Sequence, residues 1–492
     1  MSSLLTAARR QRELADLGTV DVLVVGGGVT GCGIALDAAS RGLSVVLVEK
    51  DDLAFGTSRW SSKLVHGGLR YLATGDVGLA LESARERSIL MTTTAPHLVR
   101  PLPMVVALSA DLRARDGLLV DLGHRVADGF RLVARTPRQV LPRPRRISAT
   151  ETRRLLPAVR RDGLRGGLLN WDGQLEDDAR LVVALARTAA SYGAKVLTRV
   201  RWVDGALVDQ LTGQGVAVTA RTTISATGAW ADQLSASTRL RPSKGVHVVL
   251  AAATLGTPTA SLTVPVPGEP NRWVFALPHP DGLVHLGLTD DPVDGPLPEV
   301  PAADEHEIAF LLGTLSRGLE VSLSRSDVIG SFAGVRPLVD GVQGRTADLS
   351  RRHAVVVEDG LTTVLGGKLT TYRKMAQDTV DTLTDVRCRT ASLPLVGAGP
   401  PPRGVPQRLV RRYGAEAGQV AALADGRPEL LQPVAPGVPV LGVELVWGVV
   451  AEGALLAEDL LERRTRVSLV DEWHEATREA ARSVLEQGHA KA

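Results

Sequence analysis

The segment 21–33, DVLVVGGGVTGCG, constrains this chain more than any other stretch. A short apolar run at 21–25 leads into glycines at 26, 28 and 31, and IALDAASRG follows with helical apolar spacing. The order is therefore strand, tight turn, helix. Gly26 permits the turn, Gly28 lets backbone approach a pyrophosphate, and Gly31 packs helix on strand, with N–H groups and the helix dipole facing the phosphates. Gly42 ends the helix and SVVLVEK, 44–50, is a second buried strand, so a βαβ unit closes. Glu49 stands near the offset of about 20 residues expected of an acid that binds ribose hydroxyls. Dinucleotide binding is the reading, set against a glycine turn with no ligand. Between NAD and FAD, the long Ser/Thr/Gly-rich loop at 52–74 favours FAD, whose isoalloxazine must be held far from the adenine.

A chain of 492 residues has room for about two to four domains and a real core. The charged fraction of 23% and hydrophobic fraction of 44% are globular values, which removes disordered and collagen-like readings. A net charge of +3 argues against a protein that binds nucleic acid by bulk charge. Cys32 and Cys388 make neither a disulfide framework nor a metal pattern, so no metal is expected and a reducing, cytoplasmic setting is. The first 18 residues lack the features of a secretory signal, and 245–268 is broken by Pro258, so no spanning helix is expected.

The expected fold class is α/β: a Rossmann-type domain with an interleaved antiparallel substrate or cap domain and a C-terminal helical domain. The dinucleotide domain is read in three parts, 20–99, 151–235 and 341–385. An amphipathic helix is expected over 172–199, feeding a strand, and 222–228 is another buried strand. Residues 236–340, rich in Pro and alternating apolar runs, form the cap. Residues 390–492 start with a Pro/Gly linker and become helical. Residues 100–150 stand apart as a basic segment, with ten Arg against four Asp between 100 and 146.

The chain has only seven lysines, so lysines inside motifs stand out. TSRWSSKLVHGGLRY, 57–71, combines Thr57, Ser58, Ser61, Ser62, Lys63, His66 and Gly67, read as cofactor contacts, with Arg70 and Tyr71, read as facing an anionic substrate. A solvated loop is the bland alternative. SKGVHVVL carries Lys244 and His247, AGVRPL carries Arg336, and GGKLTTYRKMA carries Gly366, Gly367, Lys368, Leu369 and Thr370. This is more positive charge than a flavin diphosphate explains, so a phosphorylated substrate is expected. SATGAW adds Gly228 and Trp230 as a second close approach to the cofactor, and Lys50 follows Glu49.

GGGVTGCGIALDAASRG, SSKLVHGGLRYL, WDGQLEDDARL, ATGAW, GVRPL and GGKLTTYRKMA, in this order, resemble the FAD-dependent (respiratory) glycerol-3-phosphate dehydrogenase family from about 21 to 376. AEGALLAEDLLERRTR resembles its C-terminal helical domain. The resemblance implies oxidation of sn-glycerol 3-phosphate to dihydroxyacetone phosphate in glycerol metabolism, with FAD as cofactor and electrons passed to membrane quinone. It places Arg70, Tyr71, His247, Arg336 and Lys368 at the substrate site. Loss of hydride from C2 to flavin and of a proton to a base is the chemistry required. Arg70, Arg336 and Lys368 suit the phosphate. His247 is the candidate base, with Arg336 as the alternative group acting on the hydroxyl. Rival readings are an oxygen-using glycerol-phosphate oxidase, an amine oxidase on the same scaffold, and a flavin-binding scaffold without turnover.

A quinone reductase must reach the bilayer, so a peripheral contact on the inner, cytoplasmic leaflet is expected, with a homodimer a further expected assembly. Residues 117–140 place Leu118, Leu119, Leu122, Val126, Phe130 and Val133 at near-helical spacing beside Arg125, Arg131, Arg135 and Arg138, which suits an anionic surface. The alternative is an amphipathic helix packed on the protein's own core.

Overall fold

The computed structural model describes residues 2–68, 76–109, 114–235, 238–269, 272–339 and 353–489. Thr19–Val25 lies in the middle of a six-stranded sheet. Val22, Leu23 and Val24 are all buried, because this strand is covered on both faces and its apolar residues need not alternate. Val45–Glu49 and Thr219–Ser225 flank it in parallel. Lys195–Thr198 and Leu361–Gly366 extend the parallel set, and the antiparallel His353–Glu358 closes one edge.

The helix Val29–Ser40 packs against Asp178–Ser191 and Tyr372–Val380 on one face of this sheet. The glycine turn that feeds it is forced by space. Gly26 has φ +114, and a Cβ there would lie 2.6 Å from the Ala226 carbonyl oxygen. A Cβ on Gly31 would overlap the Gly26 carbonyl oxygen.

A second sheet has ten strands and is mainly antiparallel. Near one edge of this sheet, Ser243–Ala251 pairs with Leu283–Gly287 on one side and Val328–Arg336 on the other. Its core of Val246, Val248, Leu250, Val284 and Leu286 is covered by the helix Glu305–Ser316, where Leu311 and Leu315 are buried. The two sheets with a C-terminal helical domain realise the expected α/β class.

The boundaries drawn from sequence need correction. The second sheet also takes Leu64–Val65, Val99–Ala107, Arg145–Ile147 and Gly167–Leu175, which fall in 20–99, 100–150 and 151–235. Residues 100–150 are therefore not a separate segment, since Val99–Ala107 is a paired interior strand. The helix expected from 172 begins at Asp178, because 171–175 are spent pairing with 99–103. Asp177 caps it by accepting from the Ala179 N–H at 2.8 Å.

The C-terminal domain has two apolar clusters of its own, around Leu445, Leu460 and Ala481 and around Leu409, Tyr413 and Trp447. Buried ion pairs join it to the rest. Arg180 grips Glu452 with both ends of its fork at 2.7 and 2.6 Å, Arg187 grips Glu416 at 2.7 Å, and Arg463 and Arg464 both reach Asp52.

Overpacking a tight contact costs about 1–3 kcal/mol, and at Gly31 the obstacle is backbone that cannot rotate away. Gly31→Ala is expected to lower stability by about 3 kcal/mol, read as a fall in the denaturant midpoint at unchanged slope.

Candidate functional site

A cavity of about 1450 Å³ runs from the glycine turn to the second sheet. At one end, Gly26, Gly28, Glu49 and Lys50 line it. The helix Val29–Ser40 begins at Gly28 without a side-chain cap, and the Val29 N–H donates to Ser58 Oγ at 2.9 Å. Backbone donors at an open helix start favour an anion. Glu49 Oε2 accepts from the Gly27 N–H at 2.7 Å and Oε1 from the Asp51 N–H at 2.9 Å. Burial pushes its carboxyl upward against these two donors. Lys50 pairs with Glu299 at 2.7 Å.

The middle of the cavity is formed by the loop at 52–68 and two glycine turns. Thr57 donates to the Val335 carbonyl at 2.6 Å, and Ser61, through both N–H and hydroxyl, holds Asp178 at 2.9 and 2.7 Å. Trp230, after Gly228, lies so close to Gly56 that a Cβ there would be 2.8 Å from its ring. Gly366 and Gly367 have φ of +68 and +74, which turns the chain so that Leu369 and Thr370 line the cavity at the entry to Tyr372–Val380. His66 and Lys368 also line it, and Lys368 Nζ donates to Ser83 Oγ.

At the far end are His247 and Arg336. His247 is 2% exposed, and its Nε2 is 2.8 Å from Ser62 Oγ. Its ring stacks on Phe332, with centroids 4.7 Å apart, and Nδ1 is enclosed with no hydrogen-bond partner among the described residues. Burial first, then the positive Lys63 and Arg336, pull its pKa well below the ordinary 6.5. Arg336 Nη1 donates to Ser243 Oγ and Asp290 Oδ1, each at 2.9 Å, and Nη2 to the Thr289 carbonyl at 3.1 Å.

The structure thus brings most of the expected residues to one cavity, and three lie elsewhere. Gly31 is in the helix–strand contact. Lys63 is turned away, its ammonium buried on Asp178 Oδ2 at 2.9 Å, where burial pulls its pKa down to about 8. Gly67 stands over Asp172 and Arg87, donating its N–H to Asp172 Oδ1 at 3.0 Å. Arg70 and Tyr71 lie outside the described residues.

Sequence reasoning missed two glycines. A Cβ on Gly245 would overlap the Arg336 guanidinium, and one on Gly287 would come within 2.5 Å of His247 Nε2. Both make room on the sheet for a functional side chain, and the available signal was a glycine inside a strand pattern. Asp290, the carboxylate partner of Arg336, was also missed, since nothing in TDDPVDG distinguishes it from a turn acid.

These residues fit FAD: an uncapped helix start for a diphosphate, a strand-end carboxylate for ribose, and a second glycine turn beside the end that holds His247. A model of FAD dependent oxidoreductases matches residues 21–373, and one of the C-terminal domain of alpha-glycerophosphate oxidase matches 388–488. Glycerol-3-phosphate dehydrogenase 1 of Mycobacterium tuberculosis is 52% identical, over 95% of this chain and 96% of that protein. The probable mitochondrial glycerol-3-phosphate dehydrogenase of Dictyostelium discoideum is 34% identical, over 95% and 80%. Among solved structures, the glycerol-3-phosphate dehydrogenase of Bacillus halodurans complexed with FAD superposes with a TM-score of 0.71 at 26% identity, over 97% of this chain and 94% of that one. Strand order, glycine turn, cavity and these likenesses agree: the chain belongs to the glycerol-3-phosphate dehydrogenase family of FAD-dependent oxidoreductases, and its cofactor is FAD.

Proposed function

We propose that this protein oxidises sn-glycerol 3-phosphate to dihydroxyacetone phosphate and passes the electrons to membrane quinone. The observation that carries the reading is a buried histidine and a guanidinium at one end of a cavity whose other end is the glycine turn. Bound FAD supplies the acceptor for the C2 hydrogen and its electron pair. Gly26, Gly28, Glu49, Ser58 and the Gly367–Thr370 turn hold it. Arg336 and Lys368 hold the phosphate, the first by its guanidinium and the second as a point charge. Asp290 fixes the fork and leaves Arg336 little rotational freedom to lose on binding.

His247 takes the hydroxyl proton at Nε2, because Nδ1 is enclosed and Nε2 is the nitrogen that Ser62 reaches. Its depressed pKa keeps it neutral, and so able to accept, at pH 7. Phe332 beneath the ring and Gly287 beside it fix its plane.

Quinone reduction calls for a bilayer contact, and the helix Ala114–Val133 supports one. Leu118, Leu119 and Leu122 are 61%, 61% and 56% exposed, and Leu119, Leu122 and Val126 also border the cavity. An apolar face that runs into the cavity mouth suits an apolar electron carrier held in lipid. Two residues assigned to this face from sequence turn toward the protein instead. Phe130 packs on Leu79 and Ala80, and Arg131 is buried, bonded to Asp128 at 2.5 Å and to the Thr136 carbonyl at 2.7 Å. Arg125, Arg135 and Arg138 remain on the surface. Among the described residues no helix is long and apolar enough to cross a membrane, so the contact is peripheral.

Anaerobic mixing with glycerol 3-phosphate is expected to bleach the bound flavin, and glycerol to do so very poorly; equal bleaching by both would refute the phosphate site. Arg336→Ala is expected to retain flavin and lose about ten- to a hundredfold in efficiency, since a charge-assisted contact is worth about 1.5–3 kcal/mol.

His247→Ala is expected to slow flavin reduction by about 10²–10⁴ with little change in substrate affinity. In the parent, protonation removes the base only well below 6.5, so the saturated reduction rate should be level from about pH 6.5 to 8 and fall in acid. A rate that keeps rising through neutrality would exclude His247.

Sedimentation with vesicles tests the bilayer contact. The protein is expected to pellet with anionic vesicles at low salt and to be partly released at high salt, and Leu119→Glu with Leu122→Glu should abolish pelleting while flavin reduction persists. Unchanged pelleting of that double variant would remove this helix as the contact.

A further inference from the structure

None of the described residues beyond 370 lines the cavity, yet the C-terminal domain grips the loop that does. Arg466 stands between the turns Leu460–Arg464 and Val467–Leu469 with φ +66. Its Nη2 donates to the Arg59 carbonyl at 2.6 Å and its Nη1 to the Glu462 carbonyl at 2.7 Å. Lys63 Nζ donates to the same Arg59 carbonyl at 2.9 Å. The Arg59 guanidinium runs the other way, pairing with the Glu462 carboxylate and donating from Nε to the Phe55 carbonyl at 2.8 Å. The Trp60 ring has the Arg59 guanidinium 4.3 Å and the Arg466 guanidinium 5.0 Å from its centroid.

The next residues carry this arrangement to the site. Ser61 and Lys63 are both fixed on Asp178 Oδ2, and Ser62, held between them, sets its Oγ 2.8 Å from His247 Nε2. We propose that Arg466 is a positioning residue: by fixing the Arg59 carbonyl and with it the Lys63 ammonium, it holds Ser62 against His247, so the C-terminal domain tunes proton transfer in a cavity it does not enter. The proposal rests on His247 acting as the base. His247 also faces Lys63 and Asp178, Arg336 on one neighbouring strand, and His279 and His285 on the side of the other, so movement of the loop moves the Lys63 charge, one of those that set its protonation.

The test uses full-length, FAD-loaded protein carrying Arg466→Ala, Arg466→Lys or Arg408→Ala. Arg408, held by Glu444 of its own domain, joins that domain to Asp281 without touching the loop, which makes it a control for stability alone. Single-turnover flavin reduction by glycerol 3-phosphate is followed from pH 5 to 8. Arg466→Ala is expected to keep its flavin and lose about tenfold in rate at pH 7, with the acid limb moved by about half a pH unit and substrate half-saturation little changed. Arg466→Lys, which keeps the charge, is expected to recover most of the rate, and Arg408→Ala to lose stability with the parent's rate and profile.

Parent rate and profile in Arg466→Ala, or the same changes in Arg408→Ala, would overturn the proposal. If Arg466→Ala does not retain flavin, Arg466→Met, which keeps most of the side chain's bulk but neither donor, decides: a parent rate and profile at every pH overturns the proposal, and a slower rate with a shifted profile supports it. If glycerol 3-phosphate fails to reduce the parent, the substrate reading falls by itself. The visible circular dichroism of the flavin then judges the clamp, and superposable spectra of parent and Arg466→Ala overturn it.

Discussion

Residues 52–63 form almost no regular ladder, and buried charge fixes them in its place. Asp52 is held by Arg463 and Arg464, Arg59 by Glu462, and Lys63 by Asp178. Such pairs add little net stability when formed, because desolvation offsets most of the attraction. Removing one partner is different, since a buried charge left alone costs about 3–5 kcal/mol. The loop therefore has one low-energy arrangement rather than many, and the polar wall of the cavity inherits that definition. Asp52 shows the effect: the two arginines hold its carboxyl well below the usual carboxylate range although it is fully enclosed.

The two sheets divide the remaining work. The parallel sheet ends its central strand at a glycine turn, where open N–H groups and a strand-end carboxylate suit a dinucleotide. The antiparallel sheet offers a surface on which Gly245 and Gly287 leave room for Arg336 and His247. Neither sheet closes the cavity alone, and the loop between them shares residues with both through Thr57 on Val335 and Ser58 on Val29. A small displacement of that loop is felt at the diphosphate end and the histidine end together.

The histidine at the far end illustrates how environment selects one protonation state. Enclosure of Nδ1 and the nearby Lys63 and Arg336 make the imidazolium unfavourable, so neutral imidazole is the resting form. A group in that state accepts a proton at neutral pH, which is what an alcohol oxidation requires of its base. Of the two positive neighbours, Lys63 is neutralised on Asp178 and turned from the cavity, and Arg336 is the one that lines it, where the proposed reaction places the substrate's anionic group.

The glycine spacing at 26, 28 and 31, the apolar runs around it and Glu49 were legible because their constraints are local: period, turn geometry and a fixed offset along the chain. The polar loop, His247, Arg336 and the 366–370 turn were recognisable as motifs, but not the contacts they make. Lys63 reads like Ser62 beside it, yet the strained backbone at φ +57 sends one inward to Asp178 and the other to His247. Strand membership of 99–107 and 167–175 was likewise hidden, since the hydrogen bonds that make them strands come from residues about seventy positions apart. By periodicity Phe130 and Arg131 read as surface residues, yet Phe130 packs on Leu79 and Ala80 of a neighbouring helix and Arg131 is buried on Asp128 and the Thr136 carbonyl. Sequence alone determined which chemistry the chain carries and where its first turn must lie. Tertiary structure decided which side chains share a cavity and what holds them there, because pairing, enclosure and charge neutralisation depend on neighbours in space that are remote in the chain.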